Sequence, residues 1–284
     1  MEKKALNLTR FRKMKQDRVP ITVITAYDYP SARLAEEAGV DVILVGDSLG
    51  NVVLGYESTV PVTIDDMVYH SRAVTRGAPS TFVVTDMPFA TYHGSVDHTL
   101  RGASRIMQEG LAKAVKMEGG AEIAGAVEAC VNAGIPVMAH IGLTPQSIHM
   151  IGGYKVQGKN SKQAQKLLDD AKALEQAGAF SIVLELMTEE IAELITGSIS
   201  IPTIGIGAGA VTDGQVLVFH DVLGYTADPF PKKFVKTYAN IGETIRSGIS
   251  QYVREVKERS FPAPEHAFHI EQELQQPVYG GGKA

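Results

Sequence analysis

The stretch LAEEAGVDVILVGDS (34–48) contains one complete structural unit: helix-forming residues ending in Ala-Gly, a short gap, then a β-branched run closing in polar residues. Glycine suits the left-handed backbone at a helix C-terminus, where it carries no Cβ penalty. The run VILV is short and apolar on both faces, as a strand buried in a parallel sheet requires. The same pattern returns in IMQEGLAKAVKMEGG (106–120), CVNAGIPVMAHIG (130–142), LEQAGAFSIVLEL (174–186) and, more loosely, LITGSISIPTIGIGAG (194–209).

Working outward, eight strands are predicted near 21–26, 42–45, 82–85, 114–117, 137–139, 182–184, 203–206 and 216–219. Helices are predicted over 30–38, 64–75, 96–108, 121–132, 161–176 and 189–196. A short helix over 9–16 is expected to cover the bottom, and a long amphipathic helix is expected over 235–258. The connection around Asp213 has room only for a turn. This alternation predicts an α/β fold, a single (β/α)8 TIM-type barrel with an N-terminal helix and a long C-terminal helix, closed by right-handed crossovers. A doubly wound open sheet is the alternative. No linker-like composition divides the 284 residues, so 1–284 reads as one barrel domain with a Pro/Gln/Gly-rich tail from about 261. The last residues of that tail are expected to be loosely held.

Lys and Arg number 27 against 32 Asp and Glu, for a net charge of −5. That balance argues against nucleic acid or an anionic membrane as partner. One cysteine, Cys130, excludes an intramolecular disulfide and a multi-cysteine zinc site. The basic N-terminus lacks the apolar run of a signal peptide, and no stretch reaches the roughly 18 apolar residues of a membrane helix. Cytoplasm is the expected location, with a transit peptide as the alternative.

In a barrel the C-terminal strand ends face the active site. Those ends carry Tyr27 and Asp28, Asp47 and Ser48, Asp86, Lys116 and Glu118, His140 and Glu185. A lone charge after a strand is usually a helix cap or a solvated loop residue. Six successive strands delivering an ionisable group to one rim is a stronger pattern. Asp47, Asp86 and Glu118 offer oxygen ligands without thiolate, which suits a hard divalent cation. Asp47 and Asp86 are the candidate direct ligands, with Glu118 on a metal-bound water or in a third position. His140 reads as a neutral donor to a substrate or a satisfied interior histidine, ahead of a zinc ligand. Gly205–Gly209 is spaced GxGxG, not GxGxxG, and lies late in the chain, which speaks against a dinucleotide fingerprint. An anion cradle, or close approach of a ligand to the backbone, remain open.

The segments VGDSLGNVVLGYESTVPVTIDDMVYH, DMPF, VKMEGG, HIGLTPQS, VLEL, IGIGAG and HDVLG resemble the ketopantoate hydroxymethyltransferase family. The resemblance runs from about Thr25 to about Lys236. Ile141 stands where the family commonly has Leu or Val, a conservative change. The resemblance implies a (β/α)8 barrel that binds Mg²⁺ and transfers a hydroxymethyl group from 5,10-methylenetetrahydrofolate to 3-methyl-2-oxobutanoate, through an enolate, giving 2-dehydropantoate for pantothenate biosynthesis. Carried onto this chain, it implies metal binding by Asp47 and Asp86, with Glu118 associated. Ser48 and Lys116 would contact the keto acid, and Glu185 would accept the proton. It further implies a cytoplasmic homo-oligomer, typically a decamer. The loops after the third and seventh strands are the candidate opening for the folate. Two competitors are a different Mg²⁺-dependent lyase or mutase of 2-oxo or phosphoenol acids on the same barrel, and a 2-oxo-acid sensor without turnover. An isocitrate-type lyase would need a loop cysteine, whereas Cys130 falls on a predicted helix.

Overall fold

The apolar runs become the staves of a closed parallel barrel. In the computed structural model, which describes residues 6–225 and 232–270, the strands are β1 (Ile21–Thr25), β2 (Val42–Val45), β3 (Phe82–Asp86), β4 (Ala114–Glu118), β5 (Val137–Gly142), β6 (Ser181–Glu185), β7 (Thr203–Ile206) and β8 (Gly214–Leu217). Each pairs with the next, and β8 returns to β1, so no sheet edge is left open. The open-sheet alternative is thereby excluded. Every residue of β2, β3 and β4 is buried, as strands with side chains packed on both faces must be.

The connecting helices begin where small polar residues cap them. Thr63 and Asp66 form a reciprocal capping box at helix Ile64–Gly77. Ser95 and Asn160 accept from backbone N–H groups at helices Val96–Gln108 and Ser161–Gln176. Asp28, one of the rim carboxylates, has the same structural job: its side chain accepts from Ser31 N and caps helix Tyr29–Glu37. Between β7 and β8 there is no helix, as the short Asp213 connection requires. On the neighbouring staves Thr22 and Gln215 are exposed, so this flank of the barrel is the least covered.

The helix Leu8–Gln16 closes the N-terminal end of the barrel. Phe11 and Met14 are buried with residues of all eight strands, among them Ile21, Phe82, Met138 and Val216. The Phe11 ring meets Phe180 edge-on at 5.4 Å. Lys15 Nζ donates to the carbonyls of Thr196 and Ile201 at 2.8 and 3.0 Å and pairs with Asp213 at 3.1 Å. Phe11→Ala is expected to cost about 3–5 kcal/mol, the range for truncating a buried aromatic. Urea unfolding reads that loss.

The chain divides into two compact units, residues 1–238 and 239–284. The second contains helix Ile241–Glu258, none of whose residues is buried within this chain. This helix starts six residues later than its apolar pattern predicts. Tyr238 N–H donates to Val222 O at 2.7 Å, so the backbone there bonds back to the barrel unit instead of beginning a helix. The tail expected to be loosely held lies mostly in 271–284, outside the described residues. Short helices at Leu49–Val52, Ile148–Ile151 and Phe219–Leu223, none of them predicted, lie in the loops above the strands.

Candidate active site

Strand register puts the site together. Asp86 pairs across the sheet with Lys116, Glu118 with His140, and Gly142 with Glu185. The first pair brings Lys116 Nζ to 2.8 Å from Asp86 Oδ1, with Glu118 Oε1 at 3.5 Å. His140 stands between two carboxylates: its Nδ1 is 3.5 Å from Glu118 Oε1 and its Nε2 is 3.3 Å from Glu185 Oε2. Asp47 follows β2 directly, and its N–H donates to Asp86 Oδ2 at 3.0 Å. Ser48 Oγ lies 2.9 Å from the hydroxyl of Tyr27. Asp47, Ser48, Asp86, Lys116, Glu118, His140 and Glu185, the candidate metal, substrate and proton-transfer residues, line one cavity of about 370 Å³ at the C-terminal end of the barrel, which Tyr27 and Asp28 do not line.

Gly142 is a steric requirement of this arrangement. Its φ is +98°, and a Cβ there would collide with the carbonyl oxygen of Glu185. Leu143 N–H donates to that same carbonyl at 2.8 Å. The close approach fixes the end of β6 and hence the place from which Glu185 projects.

Oxygen ligands from Asp47, Asp86 and Glu118 lie within 4.8 Å of one another, all three buried. Burial, then repulsion from Glu118 and Asp86, pushes the Asp47 carboxyl well above the usual range. Burial also raises Asp86, against the pull of Lys116. Glu118 goes the other way: burial opposes its ionisation, but Lys116 and His140 outweigh burial and bring it down to about 2. Three crowded acidic groups with too little positive charge are the chemistry a divalent cation satisfies. The residues present therefore fit a metal ion bound by oxygen alone.

Burial and Lys116 both disfavour a charged His140, yet Glu118 and Glu185 lift it to about 9. Two flanking carboxylates favour the imidazolium, while Lys116 Nζ, 3.3 Å from Nδ1, opposes it. The glycine segment also has a definite role. Gly207 has φ +66°, and a Cβ there would crowd the ring of Phe234. The Gly209 position faces the Glu189 carboxylate, which accepts from Ala210 N–H at 2.9 Å. Glu189 thus stands against the end of the glycine segment.

Several lining residues carried no signal that strand-end charges could reveal. Tyr154, from the loop after β5, stands at the mouth, with Asp221, Lys232 and Phe234 following β8. Lys232 Nζ pairs with Asp221 Oδ2 at 2.8 Å. Loops after β2, β5, β6 and β8 build the outer cavity, whereas those after β3 and β7 add nothing beyond Asp86 and Ile206. Cys130 is buried on helix Ala124–Asn132, away from the cavity, and burial pushes its thiol up to about 11.

The profile of the ketopantoate hydroxymethyltransferase family matches residues 5–264. The chain belongs to that family. Among relatives in the ketopantoate hydroxymethyltransferase family, a 3-methyl-2-oxobutanoate hydroxymethyltransferase of Geobacillus sp. (strain WCH70) is 58% identical over 273 residues, 96% of this chain and 98% of that one. One of Bacillus cereus (strain G9842) is 57% identical over the same shares. Solved structures with the same barrel include phosphonopyruvate hydrolase in complex with oxalate and Mg²⁺, at TM-score 0.59 and 15% identity over 96% of this chain and 94% of that one. A 2,3-dimethylmalate lyase of the PEP mutase/isocitrate lyase superfamily superposes at TM-score 0.55 and 18% identity, over 95% and 94%. These last two likenesses concern fold alone, so they lend no support to a lyase or mutase. The ketopantoate hydroxymethyltransferase assignment makes this chain an enzyme, a one-carbon transferase.

Proposed function

We propose that the enzyme transfers a hydroxymethyl group from 5,10-methylenetetrahydrofolate to 3-methyl-2-oxobutanoate, with Mg²⁺ as its metal, giving 2-dehydropantoate. The observation that carries this reading is the grouping of the buried Asp47–Asp86–Glu118 carboxylates, Lys116, and the His140–Glu185 pair in one cavity. A divalent cation held by Asp47, Asp86 and Glu118 supplies Lewis acidity toward the keto oxygen of a 2-oxo acid. Lys116 offers positive charge to the substrate carboxylate, and Ser48, 2.9 Å from Tyr27, a hydroxyl beside it. Glu185, at the apolar end of β6, accepts the proton from C3. His140, with Nε2 3.3 Å from Glu185, is placed to hold that carboxylate in position and to contact the substrate. The open side of the cavity, flanked by Tyr154 and Phe234, is where a folate has room to approach C3.

Exchange of the C3 proton of 3-methyl-2-oxobutanoate in D₂O tests the first half of the reaction. Mg²⁺-dependent exchange without folate is expected, with 2-dehydropantoate formed only when methylenetetrahydrofolate is added. Exchange with no product on adding the folate would leave an enolate enzyme of another kind; absence of both would discard the reading.

The reading extends to a cytoplasmic homo-oligomer, a decamer by the family resemblance. No helix among the described residues is long and apolar enough to cross a membrane. Ile245, Ile249, Tyr252, Val253 and Val256 stand exposed on helix Ile241–Glu258, an apolar face of the kind that another subunit covers. Sedimentation at micromolar concentration is expected to show a large assembly. A monomer near 30.5 kDa would reject the assembly and leave the chemistry untouched.

A further inference from the structure

Gln146 lies in the loop after β5, on the turn Pro145–Ser147, yet it is buried, at 4% exposure. All of its side-chain polar atoms are used. Nε2 donates to Asp47 Oδ2 at 2.8 Å and to Met87 O at 2.9 Å, and Oε1 accepts from the Tyr92 hydroxyl at 2.7 Å. Its backbone N–H donates to Glu118 Oε2 at 3.1 Å. One residue thus grips an oxygen of two of the three clustered carboxylates, although they come from different strands.

The amide cannot turn over. Reversed, its oxygen would face a carboxylate oxygen and a carbonyl oxygen, two acceptors with no proton between them. Tyr92, itself buried, reinforces the orientation: Glu118 N–H donates into its oxygen at 3.0 Å, which directs the single phenolic proton outward. That proton goes to Gln146 Oε1 at 2.7 Å rather than to Glu118 O at 3.1 Å. The donor sequence runs from the Glu118 backbone through Tyr92 to Gln146, while the Gln146 amide donates separately to Asp47.

We infer that Gln146, with its amide oriented by Tyr92, is the positioning residue that fixes the direction of the Asp47 and Glu118 carboxylates toward the cation. The inference rests on the metal reading above. Donors to the outer oxygens of ligating carboxylates set their direction and charge, and losing one typically costs about 10–100-fold in metal affinity. A glutamate of the same length could not substitute, since it would add a further negative group to an already crowded cluster.

The test uses Mn²⁺ alone, with free Mn²⁺ read by its electron paramagnetic resonance signal, on the full chain without substrate. Gln146→Leu is expected to raise the Mn²⁺ dissociation constant about 10–100-fold, and Tyr92→Phe about tenfold. Urea midpoints measured in EDTA separate positioning from scaffolding. A variant with a lowered midpoint and wild-type Mn²⁺ affinity would overturn the inference, because it would make Gln146 a packing residue. If Gln146→Leu does not fold, Tyr92→Phe decides alone, and wild-type Mn²⁺ affinity in that variant overturns the proposal. Wild-type protein that takes up no Mn²⁺ would instead fail the metal reading itself, and this inference with it.

Discussion

Glu185→Gln is expected to lower turnover by about 10²–10⁴-fold, the usual effect of losing a positioned general base. Glutamine keeps the shape and the strand end, which the Leu143–Glu185 backbone hydrogen bond holds regardless of side chain. Metal and keto acid should bind as before, because Asp47, Ser48, Asp86 and Lys116 are untouched. Folate-independent C3 exchange should fall by the same factor, since it uses the same proton transfer without the later carbon–carbon bond. Parallel loss of the two rates identifies the base. Exchange at the wild-type rate with lost transfer would instead move Glu185 to a step after the enolate. His140, whose Nε2 is 3.3 Å from Glu185, would then be the next group to test.

Asp86→Asn carries the second large effect. Asp86 is buried between two commitments, accepting from Asp47 N–H on one oxygen and pairing with Lys116 on the other. An asparagine can keep the first only by turning its NH₂ toward Lys116, a donor facing a cation. Divalent-cation affinity is expected to fall by more than the roughly 10–100-fold of a lost supporting contact. Keto-acid affinity should fall with it, because the substrate is held through the metal. Folding should suffer less than the about 3–5 kcal/mol of a fully orphaned buried charge, because Glu118 still stands 3.5 Å from Lys116. Titration calorimetry with Mg²⁺ and the keto acid reads both affinities. Unchanged Mg²⁺-dependent binding of the keto acid would remove Asp86 from the ligand set.

The barrel was legible because each stave announces itself twice, as an apolar run and as the polar residue that ends it. Val42–Val45 followed by Asp47 and Phe82–Asp86 show both signals. The cross-strand pairs Asp86–Lys116 and Glu118–His140 follow once adjacent strands are aligned. Residues that reach the site from loops gave no such signal. Gln146 is uncharged and sits past the strand end in HIGLTPQS, so a search for ionisable rim groups passes over it. Tyr92 looks like any loop aromatic until its hydroxyl is seen against Glu118 and Gln146. The setting of His140 was also hidden, because having an acid on either side is a matter of three-dimensional placement. The glycines of GIGAG were ambiguous for a related reason: the sequence shows room near the backbone, but not that Phe234 and Glu189 fill it.

The plug formed by helix Leu8–Gln16 has a consequence for how the chain is made. Lys15 finds its carbonyl partners 181 and 186 residues downstream, and Phe11 packs on Phe180. At a synthesis rate of about 5–20 residues per second, the helix leaves the ribosome on the order of ten to forty seconds before those partners exist. Its apolar side must wait throughout that interval, and it docks only after the later staves have closed the ring. A helix translated well before its partners is therefore among the last elements to join the native structure. Substitutions in it should change the rate at which the barrel opens, with little effect on the rate at which it forms.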